Sequence, residues 1–201
     1  MHKAVFKILP VALVWLCLFP ACKKNDTSDG FDTLIFSDDT SAAAALVSQA
    51  NEDLNKIKVM YKKNEVQREE LIAAMSEKDT EKVKKITDDL VYIINDGIAL
   101  GEGAVEKISK AQQMNIDADF KEYLSLKEES LRKQLEAFES RRQAVRLLRD
   151  SFGTNDPALV EKAKLGLKEK EEYFMKTMET SKAISKKANE LAKESSRKVK
   201  D

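Results

Sequence analysis

A chain of 201 residues with 35 Lys and Arg, 35 Asp and Glu, one His and two Cys carries no formal net charge. That balance speaks against a nucleic-acid binder, which needs a basic surface to release counterions, and so few His and Cys argue against a zinc finger or a disulfide framework. Charged residues at 35% with aromatics at only 6% favour helices over an aromatic-rich β-sandwich.

Met1 to Cys22 reads as a secretory signal. Lys3 and Lys7 form a short positive region, Ile8 to Phe19 is an uncharged apolar run, and Pro20-Ala21 precedes Cys22. The run is about a dozen residues, short of the roughly 20 that a helix needs to cross a bilayer core. No second long apolar run follows.

A small residue directly before Cys at the end of such a run resembles the lipobox of bacterial lipoproteins, here Phe19-Pro20-Ala21-Cys22. The resemblance implies a diacylated Cys22 thiol, cleavage before it and acylation of the new amino terminus. It covers the targeting segment alone. Lys23 stands where Asp would be the retention signal of the enteric family, which implies the outer membrane in an organism that has one.

Loss of residues 1–21 leaves 180 residues with 33 basic and 35 acidic side chains, and removes His2, Trp15, Cys17 and two of the three Pro. The mature chain then has no imidazole, and its one Cys carries lipid. Residues 22–40 read as the lipidated terminus and a polar, Asp-rich flexible tether. Within it, Thr33–Phe36 is a small apolar run expected to dock on the domain. Asn25–Gly30 has some calcium-loop character, but Phe36 stands where the bidentate Glu belongs.

From residue 41 to 201 the pattern is helical almost without interruption. Val47, Ala50, Leu54, Ile57, Tyr61, Leu71 and Met75 form the stripe of one helix over 41–75, broken by Asn64 and Arg68. Asp79 or Thr80 is placed to cap a second helix, whose stripe runs from Val83 and Ile86 through Ile93 and Gly97 to Ala111. Met114–Asp117 is the next turn. A third stripe then runs from Phe120 to Leu148, with Glu128 and Arg142 inside it. Gly153, Asp156 and Pro157 make the sharpest boundary: a left-handed helix end, a cap and a first-turn proline. Val160 to Leu191 forms the fourth stripe. Short connections make consecutive helices antiparallel, so the expected fold is all-α, an elongated up-down-up-down four-helix bundle.

Nucleophilic catalysis of the Ser-His or Cys-His kind lacks its base in the mature chain, and the Glu-x-x-His motif of di-iron bundles is absent. The expectation is therefore no enzyme, no cofactor and no metal. Arg141, Arg142, Arg146 and Arg149 are four of only seven Arg. Arg142, Arg146 and Arg149 share one face as a possible anion site, weighed against local pairing such as Arg142 with Glu139. Gly97, Gly101 and Gly103 imply close approach of a neighbouring helix, a local bend, or a ligand cleft.

The Lys-rich end, Ser181–Asp201, reads as a solvated face, with contact to anionic lipid or cell-wall polymer as the alternative. Together these readings describe a lipid-anchored envelope protein whose helical bundle binds a protein or polymer partner. A ligand-binding bundle for an anionic small molecule or lipid is the alternative.

Overall fold

The computed structural model describes residues 39–63 and 65–198. The signal, Cys22, the tether with its Thr33–Phe36 run, Asn64, and the side chains of Arg68 and of the basic terminus after Glu194 lie outside the described residues. Five helices follow one another: α1 (Asp39–Lys63), α2 (Glu65–Glu77), α3 (Thr80–Gln112), α4 (Ala118–Ser151) and α5 (Pro157–Lys198). Among the described residues there is no strand.

Side-chain caps set the boundaries. Each new helix exposes backbone N–H groups with no intrahelical acceptor, and an Asp just before the first turn can accept from one of them. Asp79 does so at α3, accepting from the Lys82 amide at 3.0 Å, and Asp117 at α4, accepting from Phe120 at 2.8 Å. Asp156 accepts from the Ala158 amide at 2.9 Å, and Pro157 opens α5. After α4 the chain leaves through Gly153 at φ 81°, a left-handed conformation that costs glycine nothing. A Cβ there would lie 2.7 Å from Thr80 Oγ1, so the α4–α5 turn sits directly on the start of α3.

The first helical segment begins at Asp39, slightly before the expected residue 41, and the Asp39 carboxylate accepts from the Asn115 amide at 2.9 Å. The described residues on either side of Asn64 are helical, α1 up to Lys63 and α2 from Glu65 to Glu77. Val66, between the stripe residues Tyr61 and Leu71, is 62% exposed.

Paired positions give the directions. Between α4 and α5, Ser130 meets Ser185, Ser140 meets Lys170 and Leu147 meets Gly166. Between α3 and α4, Gln112 meets Glu128, Gly101 meets Leu135 and Asn95 meets Arg142. Asp53 meets Lys107, and Tyr61 meets Gly97, between α1 and α3. One number rises as the other falls in every case, so these neighbours are antiparallel. Asn51 with Lys127 and Tyr61 with Phe138 rise together, so α1 and α4 are parallel.

Three apolar clusters stack along the molecule. Val47, Ile108, Phe120 and Leu124 anchor one end, Ile57, Ile94, Phe138 and Phe174 the middle, and Leu71, Val83, Ile86 and Leu148 the other end. Ile94 is the buried residue where the stripe pointed to Ile93, because α3 packs on α1, α2 and α4 and buries more than one narrow face.

Two glycine substitutions should move stability in opposite directions. Gly97→Ala places a methyl at ordinary contact distance, 3.6 Å from Tyr61 Oη, inside a helix, and should gain about 0.5–1 kcal/mol. Gly153→Ala meets both the left-handed backbone and Thr80, and should lose at least about 1 kcal/mol. Urea unfolding followed by circular dichroism measures both.

Candidate functional site

The arginine face of α4 is answered mostly from within. Arg142, half-buried, donates from Nη1 to Asn95 Oδ1 at 2.9 Å and forms an ion pair with Glu139 one turn back. Burial on its own would raise the Glu139 pKa, but hydrogen bonds from Gln143 and Arg142 hold it below the usual value. Arg149 bridges Asp150 at 2.7 Å and Asp88 of α3 at 2.8 Å. Arg146 is exposed and makes no ion pair among the described residues. The three side chains therefore share a face, but carboxylates already occupy two of the three forks.

Arg142 and Glu128, both in the apolar stripe of the third helix, do not meet. Fourteen residues apart on one helix, they are about 21 Å from each other. Glu128 instead accepts from Arg132 Nε at 2.8 Å and from Gln112 Nε2 at 2.8 Å.

The deeply buried cation is Arg141, at 7% exposure. Its Nη2 lies 2.9 and 3.0 Å from the two carboxylate oxygens of Glu171 on α5, and its guanidinium sits 4.0 Å above the Phe174 ring. Tyr61 of α1 stacks on Phe138 at 5.4 Å beside this group, and burial pushes its phenol up to about 12. Sequence reasoning passed over Arg141 because it lies one residue off the apolar stripe. The α4–α5 contact widens the buried face to include it.

Gly101 marks a close approach between helices: a Cβ there would lie 2.5 Å from Leu135 Cδ2 of α4. Tyr61 and Ile57 cover Gly97, while Gly103 has only the Lys107 ammonium nearby. Space that could have made a cleft at this seam is filled by side chains.

Two polar groups lie deeper than the periodicity indicated. Asp53, at 8% exposure, accepts from Lys107 Nζ at 2.5 Å and Lys56 Nζ at 2.9 Å, and hydrogen bonds from Lys107 first and Lys56 second hold its pKa below normal. Between α4 and α5, Ser130 Oγ contacts Ser181 Oγ at 2.9 Å and Ser185 Oγ at 2.7 Å. Ser181 Oγ donates back to the Ser130 carbonyl at 2.9 Å. The available signal was small polar residues one helical turn apart, Ser181 and Ser185, among the apolar positions Met178, Ile184 and Ala188.

Beside the serines lies a cavity of about 170 Å³ reached by Leu54 of α1, Lys127, Ser130 and Gln134 of α4, and Ser185 and Asn189 of α5. No three His, Cys, Asp or Glu converge for a metal among the described residues. No described helix is long and apolar enough to cross a membrane. Compared with protein-family models, curated proteins and solved structures, the chain matches none.

Removing one partner of the Arg141–Glu171 pair should cost more than removing both. Glu171→Ala should lose about 1–3 kcal/mol, the upper part of the usual range being out of reach because Glu171 is partly solvated, while Arg141→Met with Glu171→Leu should lose distinctly less. A double-mutant cycle in urea separates the terms. For Asp53, the folded pKa lies below the unfolded one, so its stabilisation is complete above the unfolded value and drains away as pH falls through the folded value. Thermal melts from about pH 6 down to about pH 2 should therefore show a shallower acid slope for Asp53→Asn than for the parent, and equal slopes would remove Asp53 from the acid response.

Proposed function

We propose that this chain is a lipid-anchored protein of the bacterial envelope, held by acyl chains on Cys22, whose helices form an elongated up-down-up-down four-helix bundle. In this bundle α1 and α2 share the first column, antiparallel to α3, with α4 and α5 completing it. The reading is supported by continuity of register: Leu71 and Ala74 cluster with Val83 and Ile86, as expected if α2 prolongs the α1–α3 pairing.

The domain acts as a structural or interaction module for a protein or cell-wall polymer. One observation carries this: the interior is occupied by its own side chains at the glycine seam, while carboxylates pair with the main arginines on α4. What remains for a protein or polymer partner is the outer surface. It includes apolar side chains at Val59, Val66, Ile72 and Tyr92, each about half or more exposed. An absence of imidazole after Cys22 favours binding over common hydrolytic chemistry.

Anchoring rests on the positive region, the short apolar run and Ala21-Cys22. Two or more acyl chains give stable attachment where one does not. Lys23 after the anchor favours the outer membrane, facing the periplasm or the surface. Nucleic acid is not a proposed partner, because the chain carries no formal net charge.

Mass spectrometry of the purified protein should find residues 1–21 missing and acyl mass on Cys22. Cys22→Ala should release the protein from the membrane fraction. An intact or unlipidated amino terminus overturns the anchoring. Cross-linking in cells through a photoreactive residue at Tyr92 should capture one recurrent envelope partner, and a pattern indistinguishable from that of an unrelated lipoprotein speaks against an interaction role.

A further inference from the structure

The cavity between α1, α4 and α5 is lined by an unusual set of donors. Lys127 is half-buried, and its Nζ donates to Asn51 Oδ1 at 2.8 Å and lies 3.3 Å from Tyr123 Oη. Both partners are neutral. Among the described residues Lys127 has no carboxylate within ion-pair distance, whereas Lys107, the half-buried lysine of α3, reaches Asp53. An ammonium has three protons, so one donor remains after Asn51 and Tyr123.

The amides nearby are similarly unspent. Gln134, half-buried, and Asn189, exposed, line the cavity, and the side chain of neither makes a hydrogen bond among the described residues. The serine group adds a movable proton. Ser181 commits its hydroxyl proton to the Ser130 carbonyl, and Ser130 has one proton for the Ser181 carbonyl at 3.0 Å or for Ser185 Oγ at 2.7 Å. When Ser130 donates to Ser185, the Ser185 proton turns free toward the cavity.

The Lys127 ammonium also lies 5.5 Å from the Tyr123 ring centre, and a charge-assisted hydrogen bond to an anion is the strongest interaction it could add with its remaining donor. Leu54, Leu131 and Ala188 form the apolar part of a pocket that is open to solvent on one side. The volume, about 170 Å³, is the share of roughly five or six water molecules and suits a single oxyanion group with a short body.

We propose that this cavity is an anion site: Lys127 supplies the charge, and Gln134, Asn189 and Ser185 supply neutral donors for the carboxylate or phosphate group of a small molecule. It is distinct from the arginine face, where carboxylates of the protein itself fill the forks of Arg142 and Arg149. The site does not depend on lipid anchoring or on the outer-surface partner.

The test is a titration of the full chain in detergent, followed by the side-chain amide resonances of Gln134 and Asn189. Acetate, inorganic phosphate and, as a control for ionic strength, chloride are the probes. Acetate or phosphate should shift both resonances saturably while chloride does not, and which of the two saturates at lower concentration assigns the class. Lys127→Gln should weaken that binding at least about tenfold, and Ser185→Ala should weaken it by a smaller factor, whereas Arg146→Gln should leave it unchanged. Unfolding midpoints equal to the parent's establish that the variants are folded. If acetate and phosphate move the resonances no more than chloride does, or if a folded Lys127→Gln chain binds as the parent does, the assignment is wrong.

Discussion

The register between α4 and α5 is the constraint on which the rest of the structure depends. Two long helices can slide past one another by a turn at little cost when only aliphatic side chains meet, because apolar contact is not directional. Here the seam carries groups that permit one alignment. Arg141 must find Glu171, Ser140 the Lys170 carbonyl, and Ser130 and Ser181 each other's hydroxyl and carbonyl groups. A shift of one turn separates Arg141 from Glu171 and breaks the reciprocal Ser130–Ser181 pairing, and an unpaired buried donor costs more than a satisfied one contributes. Such groups act more on uniqueness of packing than on net stability.

Once α4 is aligned on α5, its other face holds α3. Gly101 admits Leu135, Asn95 takes Arg142, and Gln112 takes Glu128. α3 in turn positions α1 through Asp53–Lys107 and the seating of Tyr61 over Gly97. The polar contacts between α1 and α4, chiefly Asn51 to Lys127, complete the circuit on one side. Side chains of α1, α4 and α5 together line the cavity, and Lys127 lies on its wall. The same alignment that satisfies the serine seam thus creates the neighbouring donor-rich space.

Much of the fold was legible because it rests on local rules. Asp79, Asp117 and Asp156 are short acceptors at helix starts, Gly153 tolerates a left-handed backbone, and Pro157 lacks a proton that the first turn would not use. Apolar spacing identified Val47, Ala50, Ile57, Val83, Ile86, Phe120, Leu124, Phe138 and Phe174, all of them buried. What escaped was the width of each buried face. Arg141, Ile94, Ser130 and Ser181 lie beside the stripe or are polar, and a one-dimensional pattern does not reveal that three helices converge there.

By itself the sequence determined the helical class and the turn chemistry, and it carries the proposal of a signal and an anchor at Cys22, since each depends on near neighbours in the chain. Tertiary structure decided which long-range pairings form. Arg142 and Arg149 share a face that the sequence leaves open between an anion site and local pairing; Glu139 and Asp150 are local partners, while Asn95 and Asp88, 47 and 61 residues away, reach the same two arginines only through the fold. Lys127, one among many lysines in the sequence, is distinguished only because the packing brings it neutral partners and no carboxylate among the described residues. Coulombic pairing acts over a few ångströms of space, whatever the separation along the chain, so a residue's charge is known from its type and its availability only from the fold.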